Sequence, residues 1–104
     1  MPNPPQLTDE QRRAALEKAA EARRVRAETK ARLKMGSLTL AELIDLADND
    51  QMISKIQVLA VLESLPGVGK VTARRKMQEL EIAESRRLSG LGPQQRDRLL
   101  KEFS

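Results

Sequence analysis

Large apolar residues recur at intervals of three and four through most of this chain, and the strict alternation of a half-buried strand is absent. The spacing therefore predicts helices throughout. The first runs from Thr8 to about Met35. Thr8-Asp9-Glu10-Gln11 reads as a capping box at its start, and Gly36 supplies its stop. It contains no Pro or Gly, and at about 1.5 Å per residue it would be roughly 40 Å long. Its large apolar side chains are only Leu16, Val25 and Leu33, and the rest of its apolar content is Ala. So thin a stripe predicts that the C-terminal half docks while the N-terminal half projects or lies on a partner. Thr39-Leu40-Ala41-Glu42 is a second capping box. It opens a core helix to about Ala47, with Leu40, Leu43, Ile44 and Ala47 on one face. From Gln51 to Leu65 the apolar positions again fit a buried helix, with a break expected near Lys55-Ile56. Val71, Ala73, Met77 and Leu80 mark another, from about Val68 to Leu80. Residues 81–92 read as irregular. Pro93 suits the first turn of a last helix, whose Leu99, Leu100 and Phe103 face the core.

The expected fold is thus all-α. A flexible Pro-rich arm (residues 1–7) precedes a long basic N-terminal helix (8–35) and a compact helical bundle (37–104). At 104 residues the chain suffices for one domain.

Charge sharpens this picture because it is segregated. Residues 11–35 hold nine basic and three acidic side chains. Residues 36–52 hold no basic residue and four acids, Glu42, Asp45, Asp48 and Asp50. From Ile53 onward there are ten basic and six acidic. Two basic blocks around an acidic one suggest an extended anion-binding surface, with the acidic helix turned away from the ligand. An Arg-rich solvated surface is the plainer alternative. Arg23, Arg26, Lys30 and Lys34 follow helical spacing and share one face.

Absences narrow the chemistry. The chain has no Cys and no His, which excludes disulfides, thiolate–metal sites and histidine triads. Phe103 is the one aromatic residue, so stacking of bases on aromatic platforms cannot drive binding. No apolar run approaches the length of a membrane span. Met1-Pro2-Asn3-Pro4-Pro5 lacks the layout of a signal peptide, so a cytoplasmic location is expected. No enzyme activity and no cofactor are expected.

The sharpest local signal is Leu65-Pro66-Gly67-Val68-Gly69-Lys70-Val71-Thr72-Ala73. One helix ends at Leu65-Pro66, and the next begins almost at once. Gly67 and Gly69 permit a tight turn and leave backbone amides uncovered. Val68 between them can plug into the core. The free N–H groups and positive dipole end of the second helix then form an anion site made of backbone. A phosphate there would also meet Lys70 and Thr72, with Arg74 and Arg75 nearby. A nucleotide-binding P-loop fails on spacing: Ser64 stands where that motif needs its first Gly, and Val71 follows Lys70.

This turn resembles the helix-hairpin-helix motif of proteins that bind the DNA backbone. The stretch from Lys55 to Phe103 resembles the helix-two-turns-helix domain of small-subunit ribosomal protein S13. Nearly the whole chain resembles actinobacterial integration host factor. That likeness rests on Leu7-Thr8 and the block from Glu10 to Ala20, on Leu62 to Lys70, and on Arg86-Arg87-Leu88-Ser89-Gly90-Leu91-Gly92. The family shares a name, but not a fold, with the dimeric α/β integration host factors. The resemblance implies a nucleoid-associated protein that binds duplex DNA with little sequence preference, alters its path and supports phage integration. It implies DNA contact by Arg86 and Arg87; Ser89 stands where some members carry another Arg.

The expected DNA-binding set is Gly67, Val68, Gly69, Lys70, Thr72, Arg74, Arg86, Arg87, Ser89 and Gly90, with Arg32 and Lys34 from the first helix. The expected partner is double-stranded DNA, including a phage integrase–DNA complex, engaged by a monomer. The competing reading is an S13-like, ribosome-associated protein that binds structured RNA.

Overall fold

The computed structural model describes residues 8–103, so the expected arm at residues 1–7 lies outside the described residues. Six α-helices follow in order: α1 (Asp9–Lys34), α2 (Leu40–Ala47), α3 (Gln51–Ser54), α4 (Val58–Ser64), α5 (Lys70–Glu79) and α6 (Pro93–Glu102). A single 3₁₀ turn spans Leu88–Gly90. No strand occurs among the described residues. The one β-type pairing among the described residues is an isolated antiparallel bridge between Gln57 and Arg87.

The helix ends are set by local chemistry. Thr8 accepts from the Gln11 amide at 3.1 Å while Gln11 Oε1 accepts from the Thr8 amide at 3.0 Å. Thr39 and Glu42 repeat this reciprocal cap on α2. α1 ends in a Schellman motif. Gly36 takes φ +76°, its amide donates to Leu33 O, and the Ser37 amide donates to Arg32 O. α5 ends the same way with no glycine. Glu81 holds φ +56°, and the Ile82 amide closes onto Met77 O at 2.9 Å. Both Met77 and Ile82 are buried, so the apolar contact that accompanies this cap holds Glu81 in a left-handed conformation costing about 1–2 kcal/mol.

The core gathers Leu33, Leu43, Val58, Val61, Leu62, Met77 and Leu99 as its fully buried centre. α1 enters it only through its C-terminal half. Thr29 and Leu33 are buried and Val25 packs against the cluster, while every residue from Thr8 to Glu21 is exposed. Thr29 satisfies its hydroxyl on Val25 O at 2.7 Å. Thus Leu33, on the long helix, belongs to the same core as α2–α6. The projecting half of α1 explains the elongated shape, 52 × 32 × 26 Å. The radius of gyration is 16.4 Å, against about 13 Å for a compact chain of 100 residues.

Three sequence expectations are corrected. The break near Lys55-Ile56 is present, but α5 starts at Lys70 rather than Val68. Val71 does not face the core, because it falls about 200° around the helix from Ala73, which is buried. Residues 81–92 are also less irregular than expected, since they contain the 3₁₀ turn and the bridge to Gln57. No helix among the described residues is long and apolar enough to cross a membrane.

Candidate nucleic-acid interface

The hairpin between α4 and α5 has the features an anion site needs. Gly67 takes φ +76°, a left-handed angle that an L side chain rarely adopts. The Val68 amide closes the turn onto Leu65 O at 3.1 Å, and the Val68 side chain packs against the core. Gly69 is the N-cap of α5, and no side chain caps the first-turn amides. Gly69 has an ordinary φ of −86°, and a Cβ added there would meet open space. Neither conformation nor internal packing therefore requires a glycine at 69. Its missing side chain leaves the first-turn amides uncovered. Lys70 is exposed at the start of α5 and Thr72 is half-buried within its first turn. Arg74 is less available, because it forms an exposed ion pair with Glu84 at 3.8 Å. Arg75 pairs with Glu79 at 3.9 Å. Exposed pairs of this kind contribute about 0–1 kcal/mol, so a phosphate can displace them.

Arg86 and Arg87 lie at the other end of α4. The Val58 amide donates to Arg86 O at 2.9 Å, and the Leu88 amide donates to Ile56 O at 3.0 Å. The Arg segment is therefore laced to the α3–α4 junction. The two arginines differ in availability. Arg86 is half-buried, lies across Gly90 and donates from Nη1 to Gly90 O at 3.0 Å. Arg87 is exposed. Ser89 and Gly90 are exposed in the 3₁₀ turn. Between the hairpin and this segment stand the seven residues of α4, about 10 Å of helix rise. The sequence-predicted residues thus form two patches, one at each end of α4, and not a single cluster.

The first helix supplies a third charged surface. Arg23, Arg26, Lys30 and Lys34 keep their common face and make no ion pair among the described residues. The acids Glu21 and Glu28 pair with Arg24 on a different face, at 4.0 and 3.9 Å. Arg32 points elsewhere again. It borders a groove with Glu42 and Asp45 and its charge helps lower the Glu42 pKa. A cleft of about 200 Å³ between α1 and α3 is lined by Lys18, Ala22, Arg26, Gln51, Met52, Lys55 and Ile56. Three cations and no carboxylate border it. Ile56 both lines this cleft and holds Leu88, so basic surface continues from α1 toward Arg87. Lys55 was missed by the reading of the sequence, because a lone Lys inside an apolar stretch gives no signal until α1 folds against α3.

Three of the four acids in residues 36–52 have structural roles. Glu42 caps α2, and the amide and hydroxyl of Thr39 hold its carboxyl below the usual range. Asp50 Oδ1 accepts from the Met52 and Ile53 amides at 2.9 and 3.3 Å. Asp48 pairs with Arg96 at 2.6 Å. In α5, Lys76 bonds Glu102 and approaches Glu79 at 3.4 Å, which raises its pKa and ties α5 to α6. No group of three or more His, Cys, Asp or Glu among the described residues could hold a metal ion.

The S13-like H2TH domain family matches residues 33–103. Relatives named integration host factor extend the likeness over almost everything else. Those of Mycobacterium tuberculosis and Mycolicibacterium smegmatis are each 59% identical over 95% of this chain and 94% of their own. That of Streptomyces coelicolor is 56% identical over 95% of this chain and 92% of its own. This chain belongs to the integration host factor family. A solved structure of sIHF bound to an 8-bp palindromic DNA has a TM-score of 0.82, 52% identity, and coverage of 85% of this chain and 99% of that one. The S13-like region contains both the hairpin and the Arg86-Arg87 segment. Most of the basic helix α1 lies ahead of it.

Proposed function

We propose that this protein binds duplex DNA through the sugar–phosphate backbone, with little sequence preference, and changes the path of the DNA. The observation that carries the reading is Gly69, a glycine that the folded chain does not require, set beside uncapped helix amides and Lys70. Those amides with Lys70 and Thr72 grip one phosphate. Arg87, with Arg86, Ser89 and Gly90, engages the backbone or minor groove about 10 Å away, roughly three base-pair rises along the duplex. The basic face of α1, ending at Lys34, tracks further phosphates, while Arg32, in a groove beside Glu42 and Asp45, and Arg74, once it leaves Glu84, add weaker contacts. Few side chains stand where they could read major-groove edges, so register is fixed by phosphate contacts that carry no sequence information. The DNA-bound relative and the family's name support this reading. We extend it to a monomer that bends or compacts DNA in the nucleoid and assists phage integrase–DNA complexes.

The test is the salt dependence of binding to a short duplex, with structured RNA as competitor. With about six phosphates neutralised, log affinity falls against log salt with a slope near −5. RNA competes poorly. A flat salt response, or equal competition by RNA, contradicts the reading.

A further inference from the structure

Val71 is 80% exposed, the most exposed large apolar side chain among the described residues. Nothing in the fold asks for it there. It lies off the buried stripe of Ala73 and Met77, and a β-branched residue in a helix is less favourable than Ala by several tenths of a kcal/mol. Its position is specific all the same. It follows Lys70 within the first turn of α5, whose amides no side chain caps and beside which Gly69 leaves open space.

We propose that Val71 reads the sugar, favouring deoxyribose over ribose next to the phosphate held by this turn. The proposal rests on the phosphate grip of the hairpin described above. A nucleotide whose phosphate sits on those amides brings its flanking sugars against side chains of the same turn. Deoxyribose presents a CH₂ at its 2′ carbon, which packs against the Val71 methyls and buries apolar surface. Ribose presents a hydroxyl at that carbon. Val71 offers it no hydrogen-bond partner, so the contact would desolvate the hydroxyl without compensation. One exposed aliphatic side chain would thereby help an S13-like domain select DNA rather than RNA.

The experiment measures affinity for a 12-bp DNA duplex and the RNA duplex of the same sequence, across a salt series. The proteins are wild type, Val71→Ala, Val71→Thr and Lys70→Ala. Val71→Ala should bind DNA about fivefold more weakly, through partial loss of two methyl contacts each giving about fourfold when fully buried. Its salt slope and its RNA affinity should be unchanged. Val71→Thr keeps the shape and adds a hydroxyl, so it should narrow the DNA-to-RNA ratio by about tenfold or less. Lys70→Ala should weaken both duplexes and flatten the slope by about one. Melting temperatures should not fall in either Val71 variant, because the side chain is exposed. The proposal is overturned if both Val71 variants keep the wild-type affinities and ratio, or lose DNA and RNA affinity equally, while Lys70→Ala behaves as stated. If Lys70→Ala also binds as wild type with the same slope, the hairpin grip fails and this proposal falls with it.

Discussion

Gly67 and Gly69 stand two residues apart, but the fold needs a glycine only at 67, and their substitutions should separate folding from binding. Gly67→Ala forces an L side chain to φ +76° and should cost about 1–2 kcal/mol of stability, read by denaturant titration. Gly69→Ala meets open space at an ordinary φ, so it should cost only the N-cap preference of Gly over Ala, about 0.5–1 kcal/mol. Its DNA affinity should drop severalfold because the Cβ crowds the amides. The arginines should separate in the same way. Arg87→Ala should weaken binding and reduce the salt slope by about one without lowering the melting temperature. Arg86→Ala should lower both, because Arg86 also donates to the Gly90 carbonyl, a bond worth roughly 1 kcal/mol. At this scale the sequence was informative wherever residue type dictates geometry. Gly36 as a helix stop, Thr8 and Thr39 as caps, and Pro93 in a first turn are all legible. Glu81 was not, because tertiary packing of Met77 and Ile82 imposes its left-handed angle and no residue type announces it. The partners of Arg74 and Arg86 were hidden for the same reason, since Glu84 and the Gly90 carbonyl reach them only once the chain has folded.

Among the helices, the thin apolar stripe of α1 carried the most information. Leu33 docks and Leu16 does not, as the spacing predicts. Leu33→Ala should therefore cost about 2–5 kcal/mol, while Leu16→Ala should leave the thermal unfolding curve where it is. α5 shows the limit of such patterns. Three of the four apolar positions that marked it, Ala73, Met77 and Leu80, are buried, and Val71 was carried along with them onto the wrong side. α2 links its cap to pH. The Thr39 amide and hydroxyl lower the Glu42 pKa, so this cap stabilises the fold above the ordinary Glu value near 4.3. That contribution fades as the pH falls through the lowered folded-state value. Comparing wild type with Thr39→Ala by thermal melting should show a gap of about 1 kcal/mol at neutral pH, shrinking in acid below about pH 4. A gap that grew on acidification would contradict this sign.

For the whole molecule, the acidic segment 36–52 and the basic surfaces divide the work. Glu42, Asp48 and Asp50 serve caps and an ion pair, while α1, the α1–α3 cleft and both ends of α4 present cations. The all-α class, the long helix and the hairpin could be read directly from the sequence. The cleft formed with Lys55 could not, and neither could the 10 Å separation of the two α4 patches, because both depend on how helices pack. Backbone binding by this distributed surface is the central claim, and a residue-resolved amide map tests it most directly. Uniformly ¹⁵N-labelled protein titrated with a short duplex should show its largest shifts at Gly67 to Thr72 and at Arg86 to Gly90. Smaller shifts should follow Arg23, Arg26, Lys30 and Lys34, with almost none from Leu40 to Asp50. Shifts concentrated on residues 40–50, with the amides of Gly69 and Lys70 unmoved, would contradict it.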